Sequence, residues 1–184
     1  MRRHTTLIAM LAGALAIFAV LAAGCGDDDS NALTLEEYFS RFEAIDAGVD
    51  QEIEALYAEF PDDESDEEFF ANEENFELLK GLFTGFPVVV QGLVDDLGDL
   101  NPPSEVEDAH TELLDAGRGL LQAFENANAG IDSAETIADL EAINQGAEIE
   151  IAPAEQRFDA ACLAVVAVAE ANDIAIDVSC VDEG

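Results

Sequence analysis

From Leu35 onward the apolar residues return every three or four positions. Leu35, Tyr38, Phe39, Phe42, Ile45, Val49, Ile53, Leu56 and Phe60 fall on one side of a 3.6-residue helix, and Pro61 closes the run. Thr34 and Glu37 stand at capping-box spacing, which marks the helix start. A second stripe, Phe76, Leu79, Phe83, Phe86, Val90, Leu93, Leu97 and Leu100, alternates steps of three and four. Pro87 lies inside it. Proline removes a helical donor and crowds the preceding turn, so a kink or break is expected near Gly85–Pro87, flanked by two helical halves. Pro102-Pro103 then stops the chain, and Ser104 with Glu107 gives another capping-box spacing. The third stripe is Val106, His110, Leu113, Gly117, Leu120, Phe124 and Ala127, ended by Gly130–Asp132. Ser133 is expected to cap a short helix to about Gln145. "GAEIEIAP" reads as a link, and Pro153 as the opening of a final helix with Phe158, Ala161, Cys162, Val165, Val168 and Ala169 inward.

Four main helices, each with one apolar stripe and joined by short links, predict an all-α fold: an up-down four-helix-type bundle with a short extra helix. The acidic run "DDESDEE", Asp62–Glu68, connects the first two helices. There is no internal repeat, and no alternating strand pattern before the tail. Asn172-Asp173 ends the last helix, and "IAIDVSC" leaves as an extended tail. Cys162 lies about nine residues before the helix end, roughly 14 Å at 1.5 Å per residue. Asn172 to Ser179 spans more than that at about 3.3 Å per residue. The tail therefore reaches back along the bundle, with Ile174, Ile176 and Val178 as its inward positions.

The N-terminus has a different composition. Arg2-Arg3 precedes the apolar run Leu7–Ala23, and Ala22-Ala23-Gly24 leads into Cys25. A basic start, an apolar middle and small residues at the end are the layout of a secretory signal peptide, read here as residues 1–24. Small residues directly before a cysteine also resemble a bacterial lipobox. The resemblance implies cleavage before Cys25 and a thioether-linked diacylglycerol on it, which places the chain on the extracytoplasmic face of a cell membrane. The other readings of the stretch are an ordinary cleaved signal peptide with a free Cys25, or an uncleaved membrane helix. After it, "GDDDSN" is too polar to bury surface. Residues 25–33 read as a flexible tether and 34–184 as a single domain. Asp27, Asp28 and Asp29 repel an anionic lipid surface and hold that domain away from it.

With Cys25 assigned to the lipid, two cysteines remain of the chain's three, Cys162 and Cys180. Outside the membrane an even pair reads as a disulfide. Free thiols and pairing between chains are the alternatives.

Charge narrows the function classes. Beyond the leader the basic residues are Arg41, Lys80, Arg118 and Arg157, against 42 acids, a net charge of −38. Nucleic-acid binding needs clustered Lys and Arg, so it is not expected. Polyanionic substrates are disfavoured for the same reason. Cationic partners are electrostatically permitted, although such a surface also serves solubility or a salty habitat. Glu107-Asp108-Ala109-His110 is one Glu-x-x-His, whereas di-iron bundles use two with two further glutamates. His110 is the one histidine beyond the leader, so it reads as a residue packed on the helix seam. Zinc sites use several Cys or His ligands, which this chain cannot assemble alone, and for haem both methionines, Met1 and Met10, lie in the leader and no Cys-x-x-Cys-His occurs. "DDESDEE" lacks the alternation and sixth-position glycine of a calcium loop. No Gly-x-Ser-x-Gly elbow or phosphate loop occurs. No catalytic residue, metal site or cofactor is therefore expected.

Three segments, "LTLEEYFSRFEAID", "PPSEVEDAH" and "FDAACLAVVAVAEANDIAIDVSC", resemble helical bacterial lipoproteins with no assigned activity. The resemblance implies a location and a fold and supplies no catalytic residue. The leading expectation is a lipid-anchored cell-surface protein, a non-catalytic binding or structural module for an unknown protein or small ligand. The alternatives are a small-molecule or cation-binding lipoprotein using an interhelical cleft near Gly85–Pro87 or His110, and an extracytoplasmic enzyme using carboxylates. An apolar pocket between helices favours the second, a converging carboxyl pair the third.

Overall fold

Thr34 opens the first helix as its spacing predicts. Its hydroxyl accepts from the Glu37 amide at 3.2 Å, and the Glu37 carboxylate accepts from the Thr34 amide at 3.0 Å. The computed structural model describes residues 32–58, 60 and 72–181. The signal peptide, Cys25, most of the tether and the acidic run at 62–68 lie outside the described residues. Four helices follow: α1 (Leu35–Tyr57), α2 (Phe76–Gly98), α3 (Glu107–Ala127) and α4 (Ile137–Ala171), with short 3₁₀ turns at Glu73–Asn75, Asn128–Ser133 and Ser179–Val181. Among the described residues there is no strand. The all-α bundle is as expected. Leu33, the last residue of the stretch read as tether, is already docked: its amide donates to the Asn101 carbonyl at 2.9 Å, and its side chain packs on the core.

Three boundaries differ from the sequence reading. α2 runs unbroken through Pro87. α4 runs unbroken through Pro153, so the predicted short helix, link and final helix are one helix of 35 residues. Its cap is Thr136, in a capping box with Asp139, while the Ser133 hydroxyl bonds the Gly130 carbonyl. At α3 the Ser104 hydroxyl turns to the Glu105 carboxylate, and the helix starts at Glu107 without a side-chain cap.

Both interior prolines leave a carbonyl without its helical donor. For Pro87 that carbonyl belongs to Phe83, four residues back. Asn128, just beyond α3, donates its side-chain amide to it at 2.5 Å. For Pro153 the carbonyl belongs to Ile149, a residue that is 77 % exposed.

Consecutive helices pack on one another, most extensively α3 on α4, but no comparable approach joins α1 and α4. The tail lies on that side. Cys180 is bonded to Cys162 of α4. The Asp177 amide donates to Glu43 of α1 at 2.8 Å, and the Ser179 amide and hydroxyl donate to Asp46 of α1 at 2.9 and 2.7 Å. Val178 is buried, and Ile174 and Ile176 pack against the core. The tail thus straps α1 to α4.

The core is in two parts. One holds Tyr38, Phe39 and Phe42 of α1, Leu97 of α2, Leu113 of α3 and Val165 of α4. The other, at the opposite end, holds Leu79 of α2, Ile131, Ala134, and Ile137 and Leu140 of α4. Burying each large apolar side chain stabilises by roughly 1.5–3 kcal/mol. Glu73–Gly98 is long and apolar enough by length and composition to cross a membrane. Six of its residues, Leu79 to Leu97, are buried against the bundle.

Candidate functional site

Between the two core clusters, side chains from three helices leave a cleft of about 290 Å³. Phe83 and Phe86 of α2, Phe124 of α3, and Ile143, Ala147 and Ile151 of α4 supply its apolar lining. On every helix these residues lie between the two clusters in chain order. The cause is local. Small residues of α4, Ala147 and Ala152, stand against three phenylalanines, and among the described residues no side chain fills the space between them. Both interior prolines sit at this level, next to Phe86 and Ala152. Gly85 brings α1 close from outside, since a Cβ there would lie 2.5 Å from Leu56 Cδ2.

Phe86 and Phe124 stack with ring centroids 5.9 Å apart and planes 12° apart. Tyr57 of α1 meets Phe86 edge-on at 6.2 Å. Asn128 and Asn144 add amides, the first already bonded to the Phe83 carbonyl. Glu148 and Glu155 complete the rim, both exposed.

A larger cleft, about 540 Å³, opens between α1 and α4 beside the tail. Phe42, Ile45, Leu93 and Phe158 line it, with Asp46, Glu155 and Asp159 as its acids. Asp46 is engaged by Ser179. Glu155 and Asp159 are exposed. No family model, curated protein or solved structure matches the chain. Function is therefore read from the chain's own chemistry.

His110 opens on neither cleft. It is 5 % exposed, and its Nδ1 lies 3.1 Å from the Tyr38 hydroxyl in a buried hydrogen bond. Burial lowers the His110 pKa below its ordinary value and raises that of Tyr38. Its expected place on the helix seam is correct, with a phenol as the partner. Glu107, three residues before it, faces a surface depression shared with Arg157. Among the described residues, no three His, Cys, Asp or Glu side chains are grouped to hold a metal ion. Cys162 and Cys180 are joined. Cys25 lies outside the described residues.

The cleft was only partly legible in the sequence. Phe83, Phe86 and Phe124 all stood on apolar stripes. The residues opposite them fall in "GAEIEIAP", a stretch that reads as a link because of Pro153.

Proposed function

We propose that this chain is a lipid-anchored extracytoplasmic protein whose helical domain is a non-catalytic binding module for a small ligand with an apolar body. The anchor rests on the small residues before Cys25. The ligand reading rests on one observation, the apolar cleft lined by Phe83, Phe86, Phe124, Ile143 and Ile151. Ligand pockets are mostly apolar concavities of about 300–1,000 Å³ carrying a few placed polar groups, and this cleft, at about 290 Å³, lies just below that range. The tether then holds the domain clear of the lipid, where a soluble ligand reaches it.

Two experiments test the two halves. Cys25→Ser is expected to release the protein from membranes or to leave an unprocessed precursor. Membrane retention of a processed Cys25→Ser chain contradicts the anchor. For the cleft, the neutral dye N-phenyl-1-naphthylamine is expected to brighten saturably at one site per chain. Ala152→Trp, at the cleft's exposed lip, is expected to abolish that signal. An unchanged signal in the filled variant, or none in the natural chain, contradicts the cleft.

A further inference from the structure

We infer that the ligand of this cleft is a small organic cation of the quaternary-ammonium class, with an aromatic or branched alkyl body. This rests on the reading of the cleft as a ligand site and goes further by assigning the ligand's charge.

The cleft combines two features that one ligand class satisfies together. Its lining is aromatic, with Phe83 beside the stacked pair Phe86 and Phe124, whose ring centroids lie 5.9 Å apart. A cation over an aromatic face is attracted to the ring's negative quadrupole, and desolvation strengthens that attraction. Its rim carries Glu148 and Glu155, seven residues apart on α4. Seven residues is nearly two full turns, so both project on one face, roughly 10 Å apart along the axis and on either side of Ile151.

Among the described residues, no Lys or Arg lines the cleft with them. Lys80 Nζ reaches the Asp132 carbonyl at 3.4 Å, and Arg118 pairs with Asp115 at 3.1 Å. Arg157 lines the depression with Glu107, and Arg41 lines a groove between α1 and α2. None of the four basic residues among the described residues lines the cleft, so a cationic ligand meets two carboxylates with no competing Lys or Arg beside it. The same carboxylates repel an anion. A hydrated metal ion is a poor match, because calcium needs six to eight oxygens at about 2.3–2.6 Å and this lining is hydrocarbon. A quaternary ammonium has a diffuse charge and an apolar surface, so it suits both lining and rim.

The test uses a matched set of probes on the polypeptide of residues 31–184, which carries both cores and the tail's covalent tie. Phenyltrimethylammonium and tert-butylbenzene have the same shape and differ in charge; benzenesulfonate reverses the charge. Dissociation constants would be measured by ligand-observed NMR in about 0.15 M NaCl. The cation is expected to bind about tenfold more tightly than the neutral isostere, and benzenesulfonate not at all. Glu148→Gln with Glu155→Gln is expected to remove most of that tenfold preference while leaving tert-butylbenzene unchanged. Ala152→Trp is expected to remove both. Equal affinity for cation and isostere overturns the charge assignment while the cleft reading stands. Cation binding that survives Ala152→Trp identifies diffuse attraction to an acidic surface and also overturns it. Failure of both cation and isostere to bind removes the cleft reading itself. The two glutamines are exposed surface changes, so the comparison holds even if the tryptophan variant proves unstable.

Discussion

Asn128 donates its side-chain amide to the carbonyl of Phe83, the acceptor that Pro87 leaves without a helical donor. That bond links the start of the turn after α3 to the middle of α2, at the edge of the cleft. A half-buried acceptor left unmade costs about 1–3 kcal/mol. Asn128→Ala is expected to destabilise by that amount in urea unfolding. In a Pro87→Ala background the backbone amide of residue 87 serves Phe83 instead, so the same Asn128→Ala change is expected to cost less than half as much. Strict additivity of the two substitutions would show that Asn128 acts otherwise.

The strap between α1 and α4 makes a second forecast. Cys162 and Cys180 close a loop with a sequence separation of 18, and a bridge of that span stabilises by about 3 kcal/mol. Replacing both with Ala is expected to lower stability by that order. It should also speed hydrogen exchange at the Asp177 and Ser179 amides, which Glu43 and Asp46 hold. Slow exchange at both amides without the bridge would mean that the α1 carboxylates suffice.

Much of this architecture could be read from the sequence, and the failures have a common cause. The Thr34–Glu37 box, the four stripes and the inward alternation of Ile174, Ile176 and Val178 are local patterns, and each appears as expected. The prolines misled because their effect depends on who serves the vacated carbonyl. Asn128 is 45 positions from Phe83, and no local pattern announces such a partner. Pro153 read as a helix start because proline favours a first turn, but α4 runs through it, with Ile149 on its exposed side. Ser104 and Glu107 have the spacing of a box, yet the hydroxyl found the adjacent Glu105.

Buried His110 sets a pH dependence. Its pKa in the fold is depressed by burial below the ordinary 6.5. The contribution to stability is therefore whole above about pH 6.5 and is lost as pH falls from there toward the folded-state pKa, because the unfolded chain takes up the proton first. His110→Gln removes this titration, while the carboxylates remain in both proteins. The stability of the natural chain relative to the variant is expected to decline from pH 7.5 to pH 5. A difference independent of pH, measured by denaturant titration, would contradict a neutral buried imidazole.

The end of α4 holds Asp173 at φ 57°. Its amide bonds the Glu170 carbonyl and the Ile174 amide bonds the Ala169 carbonyl, the pattern of a Schellman cap. A side chain there is strained, and a carboxylate at a helix C-terminus is unfavourable to the dipole. Asp173→Gly is expected to raise stability by about 1 kcal/mol, seen as a higher thermal midpoint. A lower midpoint would show that the Asp173 side chain has a favourable role that outweighs both effects.

The central claim is that the apolar cleft between α2, α3 and α4 takes a ligand. Methyl-labelled NMR of residues 31–184 with tert-butylbenzene tests it most directly. The account predicts saturable shifts and ligand-to-protein NOEs at the Ile143 and Ile151 methyl groups. NOEs at Ile45 and Leu93 of the larger cleft instead, or shifts that never saturate at any methyl, would contradict it.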